Sequence, residues 1–97
     1  PISVTRSQLA CIACPNPAEA ELRRAAKGQM RSGRNVTRFC VSTTGRVDDV
    51  RTTKSSGDAH VDGVIRRTVK GWRLRPFRVA GKERRACTTA TFNLKFR

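Results

Sequence analysis

Four cysteines, one histidine and two adjacent aspartates are the residues of this 97-residue chain whose types could do bond-making or metal chemistry. Cys11 and Cys14 form a C-x-x-C ahead of a helix, and a helix N-terminus lowers a thiol pKa, as redox dithiols require. Here Pro15 and Asn16 hold Cys14 away from the first helical turn, and no strand-helix-strand pattern surrounds the motif. A four-thiolate zinc site normally joins two such knuckles, whereas Cys40 and Cys87 stand singly in strand-like runs. His60 has no serine or cysteine nucleophile in a recognisable setting, and it falls in the first turn of a helix. Asp48-Asp49 at a turn reads more simply as a solvated hairpin than as a cation site. Gly-rich phosphate loops are missing from the sequence. The chain reads as a non-enzyme without a cofactor or metal, its cysteines as structural disulfides.

The binding chemistry is written in charge. Lys and Arg number 21 against 7 Asp and Glu, a net charge of +14. Such a field attracts any polyanion: nucleic acid, anionic lipid or an acidic protein surface. The basic residues run from Arg6 to Arg97 without a block of five, which disfavours a disordered basic tail. The longest apolar run, Leu9 to Cys14, is far short of the ~20 residues that span a bilayer. The expectation is one soluble domain, cut from a longer chain whose anchor or address lies elsewhere.

The elements that position these residues follow from periodicity. Asn16, Pro17 and Glu19 read as N-cap, first helical residue and capping acid of a helix over about 17–27, with Gly28 as its stop. Asn35 to Ser42 and Val47 to Thr53 read as a hairpin about Thr43-Thr44-Gly45-Arg46. Val47 and Val50 are three apart, which strict alternation forbids, so a bulge near Asp48-Asp49 is expected. After Ser55-Ser56-Gly57, Asp58 caps a second helix whose Val61, Val64, Ile65, Thr68, Val69 and Trp72 form one apolar stripe. This is the main core helix. A turn at Ala80-Gly81 leads to a last strand from about Arg85 to Phe96. There Ala86, Ala90, Phe92, Leu94 and Phe96 share one parity, and Cys87, Thr89, Thr91, Asn93, Lys95 and Arg97 the other.

Cys40 and Cys87 both fall on the strand parity opposite the apolar one, so both thiols project from the uncovered face of one sheet. If the two strands are neighbours, a bond across them closes about 50 residues and is worth about 4 kcal/mol. A Cys11–Cys14 bond closes four and gives roughly half that. An even cysteine count with one sensible pair favours an oxidising compartment.

From Phe39 onward the chain resembles the C-terminal domain of the TonB family of energy transducers. The resemblance rests on Phe39-Cys40-Val41, Gly45-Arg46-Val47, Val50, Ser55-Ser56-Gly57, Val61-Asp62, Trp72-Arg73-Leu74-Arg75-Pro76, Gly81-Lys82 and the closing Phe92 to Phe96. The cysteines and the basic excess depart from the general family pattern, and Leu74 replaces the aromatic usual before the family's proline.

The resemblance implies a single α+β domain over 1–97, connected α-β-β-α-β, with an N-terminal segment 1–34 and a sheet-helix core 35–97. Its sheet is three-stranded and antiparallel in the order 2-1-3, with helices on one face and the last strand as an open edge. It implies a periplasmic module, anchored in the inner membrane by a segment outside this sequence and driven by ExbB/ExbD-like partners. Such a module captures a TonB box, a short extended segment of an outer-membrane transporter, and transmits force. Strand addition to the last strand would involve Thr89, Thr91, Asn93 and Lys95, and Arg73 and Arg75 beside Pro76 would hold an acidic partner loop. Two other functions compete: a scaffolding part of another envelope machine, and a basic polyanion binder. Pairing of two copies through the last strand stays open. Nucleic acid is disfavoured, because the phenylalanines with assignable parity point inward and tyrosine is absent.

Overall fold

A computed structural model describes residues 1–29 and 31–96. In chain order the elements are β1 (Ile2–Ser3), a 3-10 turn (Arg6–Gln8), β2 (Cys11–Ala13), α1 (Glu19–Ala26), β3 (Ser32–Val41), β4 (Val47–Lys54), α2 (Ala59–Lys70), β5 (Arg73–Leu74), β6 (Phe77–Val79), β7 (Lys82–Arg84) and β8 (Ala86–Lys95).

Helix α2 forms where its stripe predicts from Val61 to Val69 but ends at Lys70 with Gly71 as its C-cap, so Trp72 lies just beyond it. The Asp58 carboxylate accepts the backbone amides of His60 and Val61 at 2.8 and 3.1 Å, occupying donors that the first turn leaves unpaired. Val61, Val64, Ile65 and Val69 are buried against Phe39 and Val41 of β3, Val47 of β4, and Ala86 and Ala90 of β8. Trp72 completes the core, edge-on to Phe39 with ring centroids 5.5 Å apart. A polar lock ties this helix to the sheet. Asp62, 4% exposed, accepts from the Asn35 amide, the Ser56 amide and the hydroxyls of Ser55 and Ser56, while Thr37 donates to Asn35.

The expected bulge is present. Arg38 pairs with Arg51 but Cys40 with Asp48, so β4 carries one residue more than β3 there, and Asp49 takes φ 49°. The extra residue turns Val47 and Val50 to the same side. At the hairpin turn Gly45 has φ 86°, and a Cβ on it would lie 2.1 Å from the Leu74 carbonyl oxygen. Only glycine fits between turn and β5.

Two expectations are corrected. Helix α1 begins at Glu19 with Ala18 at its N-cap, not at Pro17 behind Asn16. Trp72 Nε1 donates to the Pro15 carbonyl at 2.8 Å and holds this stretch against the core, and Pro17 biases Asn16 to extended geometry. The sheet has four strands in the order β1-β8-β3-β4, not three. The added strand is β1, parallel to β8, with Ile2 N donating to Arg85 O at 3.0 Å and Val4 N to Cys87 O at 2.9 Å. Ile2 and Val4 alternate with Ser3 and Thr5, a strand pattern too short to stand out in sequence.

The leading segment then wraps the core. The Arg6 guanidinium lies 4.7 Å over the Trp72 ring, Leu9 is buried, and β2 pairs with β5.

Candidate functional site

The candidate site is the outer flank of β8. Strands β3 and β8 pair without a register break from Ser32↔Lys95 to Val41↔Ala86. The Cα atoms of Cys40 and Cys87 are 4.0 Å apart, the close spacing of a pair that exchanges no main-chain hydrogen bonds. The pairs on either side therefore carry the ladder, and Phe96 N donating to Arg31 O at 2.7 Å agrees with that phase. It follows that Arg85, Cys87, Thr89, Thr91, Asn93 and Lys95 turn their N–H and C=O groups away from β3. Ile2 and Val4 take the carbonyls of Arg85 and Cys87. Thr5 then leaves the sheet, its amide bound to Gln8 Oε1 at 2.8 Å. Among the described residues no backbone group meets the outward amides and carbonyls of Thr89, Thr91, Asn93 and Lys95. The flank is claimed at one end and open along the rest.

The side chains set the character of this edge. Thr89, Thr91, Asn93 and Lys95 are exposed on the outer face, and Arg34 Nε donates to Asn93 Oδ1 at 3.2 Å. Beneath them Phe92, Leu94 and Phe96 are half-buried against the core, an apolar ledge on the opposite face of the same strand. Arg97, expected to continue the outer parity, lies outside the described residues.

Arg73, Arg75 and Pro76 occupy a different place. Arg73 and Arg75 are exposed around the buried Leu74, whose amide donates to Gly45 O at 3.0 Å, while Arg75 N donates to Ala10 O at 2.9 Å. They sit at the hairpin-turn end of the sheet, where β8 begins, whereas Asn93 and Lys95 face its other end. The structure does not gather the two groups into one site.

All four cysteines are bonded: Cys40 to Cys87, and Cys11 to Cys14. The cross-strand bond is buried on the outer face beneath a charged cluster. Arg85 Nη2 lies 2.9 Å from Asp48, and Asp49 takes Arg51 at 2.8 Å and Arg38 at 3.5 Å. The hydrogen bond from Arg51 outweighs the opposing effect of burial and, with the charges of Arg51, Arg38 and Arg85, holds the Asp49 carboxyl below its ordinary 3.8. Among the described residues no group of histidine, cysteine and carboxylate side chains is placed to hold a metal ion. Sequence reading missed β1 and the Arg6–Trp72 stack, because both depend on long-range contacts.

The sequence model of the family described as the Gram-negative bacterial TonB protein C-terminal matches residues 21–97. The solution NMR structure of the Pseudomonas aeruginosa TonB CTD superposes with a TM-score of 0.73, covering 97% of this chain and 92% of that one at 24% identity, a likeness of fold. No curated protein matches the sequence.

Proposed function

We propose, since the chain belongs to the family of Gram-negative bacterial TonB protein C-termini, that its open β8 flank captures an extended segment of an outer-membrane transporter. The observation that carries this reading is the run Thr89–Lys95, whose outward main-chain groups have no partner in the chain among the described residues. A guest strand of TonB-box type adds there, its main chain bonded to Thr89, Thr91, Asn93 and Lys95 and its inner side chains resting on Phe92 and Leu94. Main-chain bonding supplies much of the affinity, and the flanking ledge selects for alternating apolar residues.

The module works in the periplasm, where oxidising conditions suit both disulfides. A preceding segment links it to the inner membrane and to ExbB/ExbD-like motor proteins, and Arg73 and Arg75 meet an acidic loop of the transporter. Force arriving through the chain passes to the guest across β8. The Cys40–Cys87 bond and the long β3 ladder keep β8 from peeling away under that load. The reading assigns the domain no bond chemistry of its own.

Amide exchange measured by NMR on the labelled chain tests it, with a synthetic transporter peptide of TonB-box type as probe. Binding should slow exchange at Thr89, Thr91, Asn93 and Lys95, while β4 amides stay unchanged. Binding that protects β4 and leaves these four exchanging freely would overturn the proposal.

A further inference from the structure

Opposite the β8 flank, a shallow groove between β4 and α2 is lined by Arg51, Arg66, Arg67 and Lys70 around Gly63, with Asp49 as its acid. Arg66 donates Nη1 to Thr52 Oγ1 at 2.6 Å, which fixes the guanidinium over the helix surface. A Cβ placed on Gly63 would lie 3.7 Å from Arg66 Nη2 and 3.7 Å from Arg67 Nη1. Two guanidiniums thus converge on the one turn of α2 that presents no side chain. Asp49 offers them nothing, because its carboxylate lies against Arg51, Arg38 and Arg85. Among the described residues neither Arg67 nor Lys70 has an acidic partner. Like charges held together in this way repel, and an oxyanion between them relieves the repulsion.

We infer that this groove docks the phosphate headgroups of an anionic lipid bilayer. Its shape favours a surface over a folded ligand: Gly63, Arg67 and Lys70 follow one another at four- and three-residue steps along a single line on α2, flanked by Arg51 from β4. Nothing on this line gives a nucleobase an aromatic ring to stack on. Among the described residues the large exposed apolar side chains are Ile12 and Val79, neither of which lines the groove, so the contact is electrostatic. The sheet order places β4 and the open flank of β8 at opposite rims. The domain can therefore rest on a membrane while its other rim holds a guest, and the inference does not depend on the peptide reading.

Sedimentation of the chain with vesicles of roughly a third phosphatidylglycerol in phosphatidylcholine provides the measurement. The unmodified chain should bind these and not pure phosphatidylcholine, with affinity falling steeply as salt rises. Each groove cation is expected to contribute about five-fold, so Arg67→Gln with Lys70→Gln should weaken binding by about 25-fold. The same charge removed by Lys82→Gln with Arg84→Gln, on the exposed β6–β7 hairpin, should weaken it by less than about three-fold through long-range charge alone. Gly63→Glu sharpens the test. It sets a carboxylate between the two guanidiniums and replaces glycine with a better helix former, so the melting temperature should rise while vesicle binding drops by about five-fold or more. Equal losses from the two glutamine pairs would show that diffuse charge, not the groove, does the binding. Groove-dependent binding of duplex DNA or polyglutamate more tightly than vesicles would overturn the lipid assignment.

Discussion

Replacing Thr91 with proline separates the open flank of β8 from everything else about the domain. Thr91 stands opposite Val36 in a pair without mutual hydrogen bonds, so its N–H points away from β3. Proline there takes no bond from the sheet, and edge strands tolerate it on the side facing solvent. The fold should survive with a loss of about 1 kcal/mol or less. A guest strand loses one main-chain bond, a net of about 0.5–1.5 kcal/mol, and one of its carbonyls is left facing a ring, which adds about 1–3 kcal/mol. The sum, about 1.5–4.5 kcal/mol, weakens peptide binding by about 10- to 2,000-fold. Titration calorimetry with a transporter peptide reads the affinity, and far-ultraviolet circular dichroism reads the fold. Thr91→Ala keeps the amide and should bind within about three-fold of the unmodified chain. Ala90→Pro supplies the opposite control: its N–H belongs to the β3 ladder, so the sheet itself should be destabilised. A folded Thr91→Pro protein that binds peptide as well as the unmodified chain would show that β8 is not the docking strand.

Asp62→Ala should destabilise the fold by about 3–5 kcal/mol in chemical denaturation, because the buried Asn35 amide and Ser56 N–H lose their acceptor. Burial pushes the Asp62 carboxyl up, but hydrogen bonds from Ser55, Ser56 and Asn35 outweigh it and leave it below the ordinary 3.8. With the folded pKa depressed, its stabilisation is complete at neutral pH and is lost as pH falls through and below 3.8. Asp62→Asn should accordingly flatten the acid limb of melting temperature against pH, and an unchanged slope would contradict the assignment. Gly45→Ala should cost about 1–3 kcal/mol through its positive φ alone, and more through the collision with Leu74 O, seen as a lower thermal midpoint. Under mild reductant followed by alkylation, label should appear on Cys11 and Cys14 first, since Cys11 is exposed while Cys40 and Cys87 are 0% and 3% exposed. Early labelling of Cys40 in the folded chain would show that the charged cluster does not shield that bond.

What the sequence alone determined are features whose cause is local. The spacing of Val61, Val64, Ile65 and Val69 sets the core face of α2, and Asp58 is followed by the amides it caps. The three-residue step from Val47 to Val50 required a bulge, and the parity of Phe92 and Leu94 against Thr91 and Asn93 assigned the faces of β8. The pairing of Cys40 with Cys87 was legible for the same reason, since parity put both on one face and only adjacency of their strands was lacking. Tertiary structure decided what depends on distant partners. Ile2 and Ser3 become a strand only because β8 offers Arg85 and Cys87 carbonyls, and α1 starts late because Trp72, 57 residues away, holds Pro15. How much of the edge stays open, and where Arg66 and Arg67 meet over Gly63, are likewise properties of the packed chain. A two-residue parallel strand or a cation above a helix leaves too little periodicity to be read from sequence, because its stabilising contacts lie across the molecule and not along the chain.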